Sequence, residues 1–246
     1  MPDSYRKTLF ENYHSTHEGY MDLDDKTTGD WFLDYVRENY LPLLKDMDRS
    51  GTTILEIGCN KGFALLGLKS LGFTRLFGVD RSPDDIQKAK ALLPSAHLFC
   101  ADAYPYLQKN KKKFDVILLK AVLEHIPKNE VVPFLKRIKE GLKEGGVIIV
   151  DVPNMDWMAA NHERYMDFTH EVGFTRESLG QVLRNVFTSV SIGKGRSVFS
   201  TGLKGLARAV VRPLFLFVAT LVLRIVGEGA ADIWWDCRSI IGSGKK

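Results

Sequence analysis

The sequence predicts an α/β protein built on a doubly wound, mostly parallel sheet. Three observations carry that prediction. Short apolar runs alternate with stretches of helical periodicity between residues 50 and 152, the pattern of strand–helix–strand units. The first run ends in a glycine turn, Gly58-Cys59-Asn60-Lys61-Gly62. Acids stand after the next two runs, Asp80 and Asp102, at strand ends where open α/β sheets gather ligands.

Taken in order, residues 30–48 are expected to form a helix capped by Asp30, with Trp31, Leu33, Tyr35, Val36, Tyr40, Leu43 and Leu44 giving a broad apolar face. Ile54–Ile57 reads as the first strand and Phe63–Leu71 as the helix after the turn. Glycine suits that turn because it tolerates positive φ and lets a ligand approach the backbone. Leu76–Val79 is the second strand. Ser82-Pro83-Asp84-Asp85 starts a helix with Pro at its first position, ending before Pro94. His97–Cys100 and Val116–Leu119 are the third and fourth strands. Val131–Leu142 is a helix closed by Lys143-Glu144-Gly145-Gly146, and Val147–Val152 is the fifth strand. Thr175 caps a later helix with Ser178 in its first turn.

At 246 residues and 45% apolar content, one α/β domain accounts for most of the chain. The expected division is an N-terminal arm or lid over 1–30, a main domain over 31–200 with an insertion at about 153–178, and a basic-apolar extension over 201–246. A formal charge of +4 is mild and does not argue for nucleic acid. Lys109, Lys111, Lys112 and Lys113 read as a solvated loop. Cys59, Cys100 and Cys237 have neither metal spacing nor a disulfide framework, so a reducing, cytoplasmic setting is expected. Met1 to Asp30 is too polar to read as a secretory signal. No metal ligand is assigned, and a metal held by Asp167, His170 and their neighbours stays an open alternative.

A glycine turn alone is a weak signal. Its company is specific: Glu56 before the turn, Phe77-Gly78-Val79-Asp80, Cys100-Ala101-Asp102-Ala103, and Phe114–Leu119 followed by Lys120-Ala121-Val122-Leu123-Glu124-His125. Together these resemble the class I S-adenosylmethionine-dependent methyltransferases over about residues 50–155, which implies a Rossmann-like methyltransferase fold and S-adenosylmethionine as cofactor. The resemblance implies that Glu56, Gly58, Cys59, Asn60 and Gly62 shape the loop under the methionine part. It implies that Asp80, with Arg81 beside it, receives the ribose hydroxyls. Asp102 accepts from the adenine amino group with Ala103 beside it, and Lys120 starts the loop on the sulfonium side. Many members have a middle glycine where this chain has Asn60, a residue that tolerates the left-handed region. Charge agrees with the resemblance, since Glu56 would repel a pyrophosphate but suits a sulfonium and an amino group. In related methyltransferases the Leu-Glu-His stretch caps and packs the loop after the fourth strand, which leaves His125 a second candidate for chemistry.

The stretch after the fifth strand is dense in functional side chains. Arg164-Tyr165-Met166-Asp167-Phe168-Thr169-His170-Glu171, with Gly173-Phe174-Thr175, resembles methyltransferases of bacterial surface-polysaccharide and O-antigen assembly over about residues 153–187. That implies a sugar hydroxyl as acceptor. His170 is the expected general base, since imidazole titrates near neutral pH. Asp167, at i, i+3 in a helical turn, is expected to orient it, and His162 and Arg164 to hold acceptor hydroxyls or a phosphate. The alternative is that Asp167 and His170 only fasten the insertion to the sheet.

Residues 203–226 alternate basic and apolar residues and then run uncharged from Pro213 to Leu223. That run is shorter than the ~20 residues a spanning helix needs. It reads as a core or homodimer helix, as an interfacial helix anchored by arginines at the inner face of the cytoplasmic membrane, or as a re-entrant segment. The Trp234-Trp235 pair suits either a membrane interface or a dimer core. The expected function is O-methylation of a sugar in a polysaccharide or its lipid-linked precursor. A methyltransferase of a small lipid or quinone, and a non-catalytic cofactor-binding subunit of a glycan assembly complex, stay as alternatives.

Overall fold

The computed structural model describes Leu9 and residues 25–197, 203–226 and 233–246. The arm or lid expected over 1–30 lies outside the described residues, apart from Leu9 and the residues that open the first helix. The strands are β1 (Thr53–Ile57), β2 (Arg75–Asp80), β3 (His97–Cys100), β4 (Phe114–Lys120), β5 (Leu142–Pro153), β6 (Thr188–Lys194) and β7 (Ser239–Lys245). They form one sheet in the order β3-β2-β1-β4-β5-β7-β6. β1 to β5 run parallel, and β7 lies antiparallel to both β5 and β6.

Helices cover both faces, as apolar strands buried on two sides require. On one face lie α1 (Asp25–Asn39), α2 (Phe63–Ser70) and α3 (Pro83–Leu92). On the other lie α4 (Ala103–Lys109), α5 (Val131–Gly141) and α7 (Arg176–Arg184), with α6 (Ala160–Tyr165) between β5 and α7 and α8 (Leu203–Val226) between β6 and β7. Side chains alternate accordingly. Leu55 and Ile57 of β1 join Leu107, Phe134 and Leu183 in one core, while Ile54 joins Tyr40, Leu65 and Ile86 in the other.

Local signals in the sequence are realised closely. Ser82 accepts from the Asp85 N–H at the start of α3, with Pro83 in the first turn. Thr175 and Ser178 form a reciprocal capping box on α7. Three expectations change. Asp30 does not cap the first helix but lies inside it, because α1 begins at Asp25, and the chain leaves the helix ahead of Pro42 for a short 3-10 turn, Leu41–Leu43. Lys143-Glu144-Gly145-Gly146 does not separate helix from strand, because β5 already starts at Leu142. The 201–246 stretch is not an appended extension, because β7 completes the sheet. Its glycines hid it. A Cβ on Gly242 would stand 2.5 Å from Leu183 Cδ1, and one on Gly244 2.8 Å from Phe187 Cβ, so only glycine lets α7 and its following turn lie this close to the strand.

One buried carboxylate joins the layers. Asp151 of β5 accepts from Tyr35 Oη at 2.7 Å and Tyr40 Oη at 2.6 Å, and Lys120 Nζ of β4 stands 3.3 Å away. Burial pushes both tyrosine hydroxyls well above their ordinary pKa, with the Asp151 charge adding to the effect, so they remain donors. The ammonium of Lys120 also lies 4.3 Å over the Tyr35 ring. Asp151→Ala leaves a partly buried cation and two buried hydroxyls without their acceptor, and should cost about 3–5 kcal/mol in urea unfolding. Tyr40→Phe should cost about 1.5–3 kcal/mol, the range for a hydrogen bond to a charged group. A loss below about 1 kcal/mol for Asp151→Ala would show that this knot does not hold the layers.

Candidate active site

The loops at the carboxyl ends of β1, β2 and β4 converge. After β1 the backbone takes the left-handed region three times in five residues, at Gly58 (φ 70), Asn60 (φ 49) and Gly62 (φ 82). The middle asparagine thus adopts the conformation expected of it. A Cβ on Gly58 would fall 2.6 Å from Val122 Cγ2, so glycine there admits the loop after β4. Asp80 ties the turn to the next strand. Its two carboxylate oxygens accept from the Asn60 N–H and the Ser82 N–H, each at 2.9 Å, and each oxygen keeps acceptor capacity.

Glu56 is buried under the turn. Burial pushes its carboxyl up to about 8, and its Oε2 has no hydrogen-bond partner. A hydrogen-bond donor or a cation arriving over the turn would satisfy it, which fits the cofactor that the resemblance implies. Asp102 caps α4 by accepting from the Tyr104 N–H at 2.8 Å, with Ala103 as the first residue of that helix. The Asp102 Oδ2 stands 3.7 Å from Arg81 Nε. Two members of the expected cofactor set act differently. The side chain of Cys59 packs in the core against Gly78, where a Cβ would lie 2.7 Å from Cys59 Sγ, so Cys59 serves the turn through its backbone. Lys120 is turned onto Asp151 and Tyr35, and bears on Glu56 through its charge.

The acceptor side centres on two imidazoles. At the end of β4, Ala121 takes φ 52 and folds the chain back into a 3-10 turn, Leu123–His125. The carbonyl of Glu124 accepts from the Glu171 N–H at 2.8 Å and the Val172 N–H at 3.1 Å. These bonds bring the His170 ring to 4.8 Å, centroid to centroid, from that of His125. The expected pairing of Asp167 with His170 does not form. Asp167 instead accepts from the Thr169 N–H at 2.8 Å and the Thr169 hydroxyl at 2.7 Å, because residues 166–169 make a turn rather than a helix and the carboxylate closes it locally.

Since the Thr169 proton goes to Asp167, the Thr169 oxygen accepts from His125 Nδ1 at 2.8 Å. In the neutral ring Nε2 therefore carries the lone pair. His170 is set the same way, because its Nδ1 lies 2.9 Å from the Glu163 carbonyl oxygen, which only accepts. Arg164 does not face an acceptor as expected. Its guanidinium donates to the carbonyls of His170 at 2.6 Å and Glu171 at 3.2 Å, bracing the loop that carries His170. His162 lies exposed on α6.

Glu124 is buried beside the two rings, and neither carboxylate oxygen has a hydrogen-bond partner. Sequence reasoning assigned Glu124 a packing role and passed over Thr169; only a threonine between an acid and a second histidine hinted at a relay. The sequence leaves open a metal on Asp167, His170 and their neighbours; the structure brings Glu124 and His125, rather than Asp167, to His170.

The insertion is pinned from behind. Asn154 Nδ2 donates to the carbonyls of Trp234 at 2.6 Å and Cys237 at 2.9 Å. The ring of Trp234 has Arg176 at 5.0 Å and Lys194 at 5.7 Å. α8 meets this platform through Arg212, which donates to the Asp236 carbonyl at 3.1 Å, and through Phe215 edge-on to Trp235. The core-helix expectation fails for its described side chains: Leu214, Phe217 (68%), Leu221 and Ile225 (76%) are exposed. No described helix is long and apolar enough to cross a membrane.

A model of the methyltransferase domain family matches residues 32–188. A curated relative, the ubiquinone biosynthesis O-methyltransferase of Bradyrhizobium diazoefficiens, is 32% identical over 109 residues, 44% of this chain and 42% of that protein, so the match spans less than half of the relative's length. The fold of a SAM dependent methyltransferase from Archaeoglobus fulgidus superimposes with a TM-score of 0.66 at 20% identity, covering 89% of this chain and 94% of that one. Haemonchus contortus phosphoethanolamine N-methyltransferase 2, in complex with S-adenosyl-L-methionine, gives 0.60 at 14% identity, over 96% of this chain and 60% of that one.

The raised Glu56 carboxyl makes stability depend on pH. Its pKa is about 8 in the folded chain against an ordinary 4.5, so its contribution is full below about 4.5 and falls as pH rises toward 8. Thermal unfolding without added cofactor should therefore weaken across that window, by on the order of a few kcal/mol, and Glu56→Gln should lessen the dependence without abolishing it, because burial pushes the Glu124 carboxyl up to about 8 as well. An equal pH slope in wild type and Glu56→Gln would refute the assignment. With the family match extending over residues 32–188, the chain belongs to the S-adenosylmethionine-dependent methyltransferases.

Proposed function

We propose that the protein methylates a hydroxyl oxygen on a lipid-linked acceptor. The observation that carries this reading is the pair of imidazoles, His125 and His170, whose Nδ1 contacts leave unprotonated Nε2 atoms in the neutral rings, on the loop whose Val122 packs against Gly58 of the glycine turn and on the segment bonded to it. An alcohol is a poor nucleophile until its proton is removed, and a neutral imidazole serves at neutral pH. The Asp167–Thr169 relay holds the His125 tautomer and stabilises its protonated form, as a carboxylate behind a base does. When bound, S-adenosylmethionine supplies the electrophilic methyl on its sulfonium. Glu56, Asp80 and Asp102 would hold it, with Gly58 and Gly62 giving room. The chain's main contribution is to keep the acceptor oxygen in line with that methyl.

The acceptor class rests on two further features. Residues 153–187 resemble methyltransferases of surface polysaccharides, which favours a sugar. The exposed apolar face of α8, with Met158 and Trp235 closing a groove against Phe215, Ala219, Val222 and Leu223, favours an acceptor that carries a lipid at the inner face of the cytoplasmic membrane. A quinone or small lipid is the second reading, favoured by the ubiquinone O-methyltransferase relative. Labelled methyl transfer into lipid-linked glycans, against transfer into hydroxylated quinone precursors, separates the two. Label in neither fraction, with S-adenosylmethionine bound, would support a non-catalytic subunit instead.

Asp80→Ala should weaken S-adenosylmethionine on the order of tenfold to a hundredfold in calorimetry, the cost of losing hydrogen bonds to a charged group. Unchanged affinity in a folded variant would remove Asp80 from the site. If α8 meets a membrane, co-sedimentation with anionic vesicles should fall with salt and with Phe217→Glu, since apolar area and basic residues act together. Indifference to vesicles, together with a doubled mass in solution scattering, would point to a homodimer seam.

A further inference from the structure

Glu124, His125 and His170 form a cluster that base catalysis alone does not explain. A base needs one imidazole; here two are prepared alike. Each holds its Nδ1 against an acceptor from a neighbouring segment, Thr169 of the following turn for His125 and the Glu163 carbonyl of α6 for His170. A histidine that binds metal uses one ring nitrogen and donates the other N–H to such a partner, which sets tautomer and orientation. Behind Thr169 stands Asp167, a carboxylate that strengthens the relay. Glu163 is itself held by Arg238 at 2.8 Å, which steadies the strut under His170.

The third member is Glu124, 3% exposed, with neither carboxylate oxygen hydrogen-bonded. A buried carboxylate without a partner is costly unless something charged or hydrogen-bonding meets it. The carboxylates of Asp151 and Asp167 add to the negative field at Glu124, offset by Lys120. Each of the three side chains brings a ligand atom within 4.8 Å of the other two. Two metal bonds of ~2.1 Å at a tetrahedral angle hold their ligand atoms about 3.4 Å apart, so side-chain rotations that bring these atoms together by up to about 1.4 Å close the set.

We propose that Glu124, His125 and His170 bind one divalent transition-metal ion through one carboxylate oxygen and two Nε2 atoms. Two imidazoles and one carboxylate suit Zn2+, Fe2+ and Co2+ better than the oxygen-seeking Mg2+. Three protein ligands leave positions open, as a catalytic rather than a structural site does. This rests on the proposed O-methylation and replaces its imidazole base by the ion, which receives the acceptor oxygen and lowers the pKa of its hydroxyl. The hydroxyl proton leaves to water, the oxygen lone pair forms the new bond to the methyl carbon, and the pair of the broken S–C bond stays on sulfur. His125 and His170 then act as ligands, and Thr169 and Glu163 as positioning residues.

The test uses the full chain, stripped with a chelator and dialysed against Zn2+, with Co2+ as a spectroscopic probe. One ion per chain is expected, with visible Co2+ absorption from nitrogen and oxygen ligation. Thr169→Val should weaken Zn2+ about 10–100-fold, the usual cost of removing a partner behind a ligand, and Glu124→Gln and His170→Gln should cost at least as much. S-adenosylmethionine affinity by calorimetry should stay within about twofold in Thr169→Val, since cofactor and metal contact different residues. If Glu124→Gln does not fold, the half-buried His170 carries the test. Absence of stoichiometric ion, or an ion that persists in Thr169→Val and His170→Gln, overturns the site as adventitious binding. Methyl transfer unaffected by chelation sinks the ion and leaves the transfer reading intact. An ion lost in the variants, with no transfer into any acceptor fraction, upholds the site and sinks the transfer reading.

Discussion

Asp151 is the constraint on which the arrangement depends. A carboxylate at 2% exposure is tolerated only when its charge is met, and here two tyrosine hydroxyls, Tyr35 of the first helix and Tyr40 just after its end, and a lysine from the neighbouring strand meet it. Tyr35 also contacts Ser239 at 3.2 Å. The single acid therefore joins α1, β4, β5 and the first residue of β7. Satisfying it fixes the end of β4, from which the loop carrying Glu124 and His125 departs.

That loop shows how a sheet edge becomes a site. Val122 presses on Gly58, setting the distance between the glycine turn and the imidazoles. The Glu124 carbonyl accepts two N–H groups from residues 171 and 172, setting the distance between His125 and His170. Each spacing is fixed by backbone rather than by long side chains. Such spacings vary little with rotamer, and a site that must align three reacting atoms needs that constancy.

Local chemistry was legible in the sequence, and long-range partnership was not. The turn, the strand His97–Cys100 and the caps Ser82 and Thr175 follow from neighbouring residues and stand as read. Asp167 and His170 misled because the i, i+3 spacing implies contact only in a helix, and the side chain of Asp167 found a nearer donor in Thr169. Arg164 was read as facing outward because charge suggests a ligand, yet two carbonyls six and seven residues on take its guanidinium. β7 escaped because glycines that admit a packed helix look like loop residues. Tyr35 and Tyr40 were read as apolar faces; their hydroxyls matter only once Asp151, more than a hundred residues away, arrives.

β7 follows both its neighbours in the chain but lies between them in the sheet. Until it is made, β5 has an open edge and β6 has no partner strand, so closing the sheet waits on contacts distant in sequence, the slow kind to form. α8 lies in the connection that this late step closes. Its apolar face is uncovered before the final strand locks the platform beneath it. The apolar face of α8 thus stays in play until residues 239–245 pair, and the order of assembly, more than the finished fold, decides how long it is uncovered.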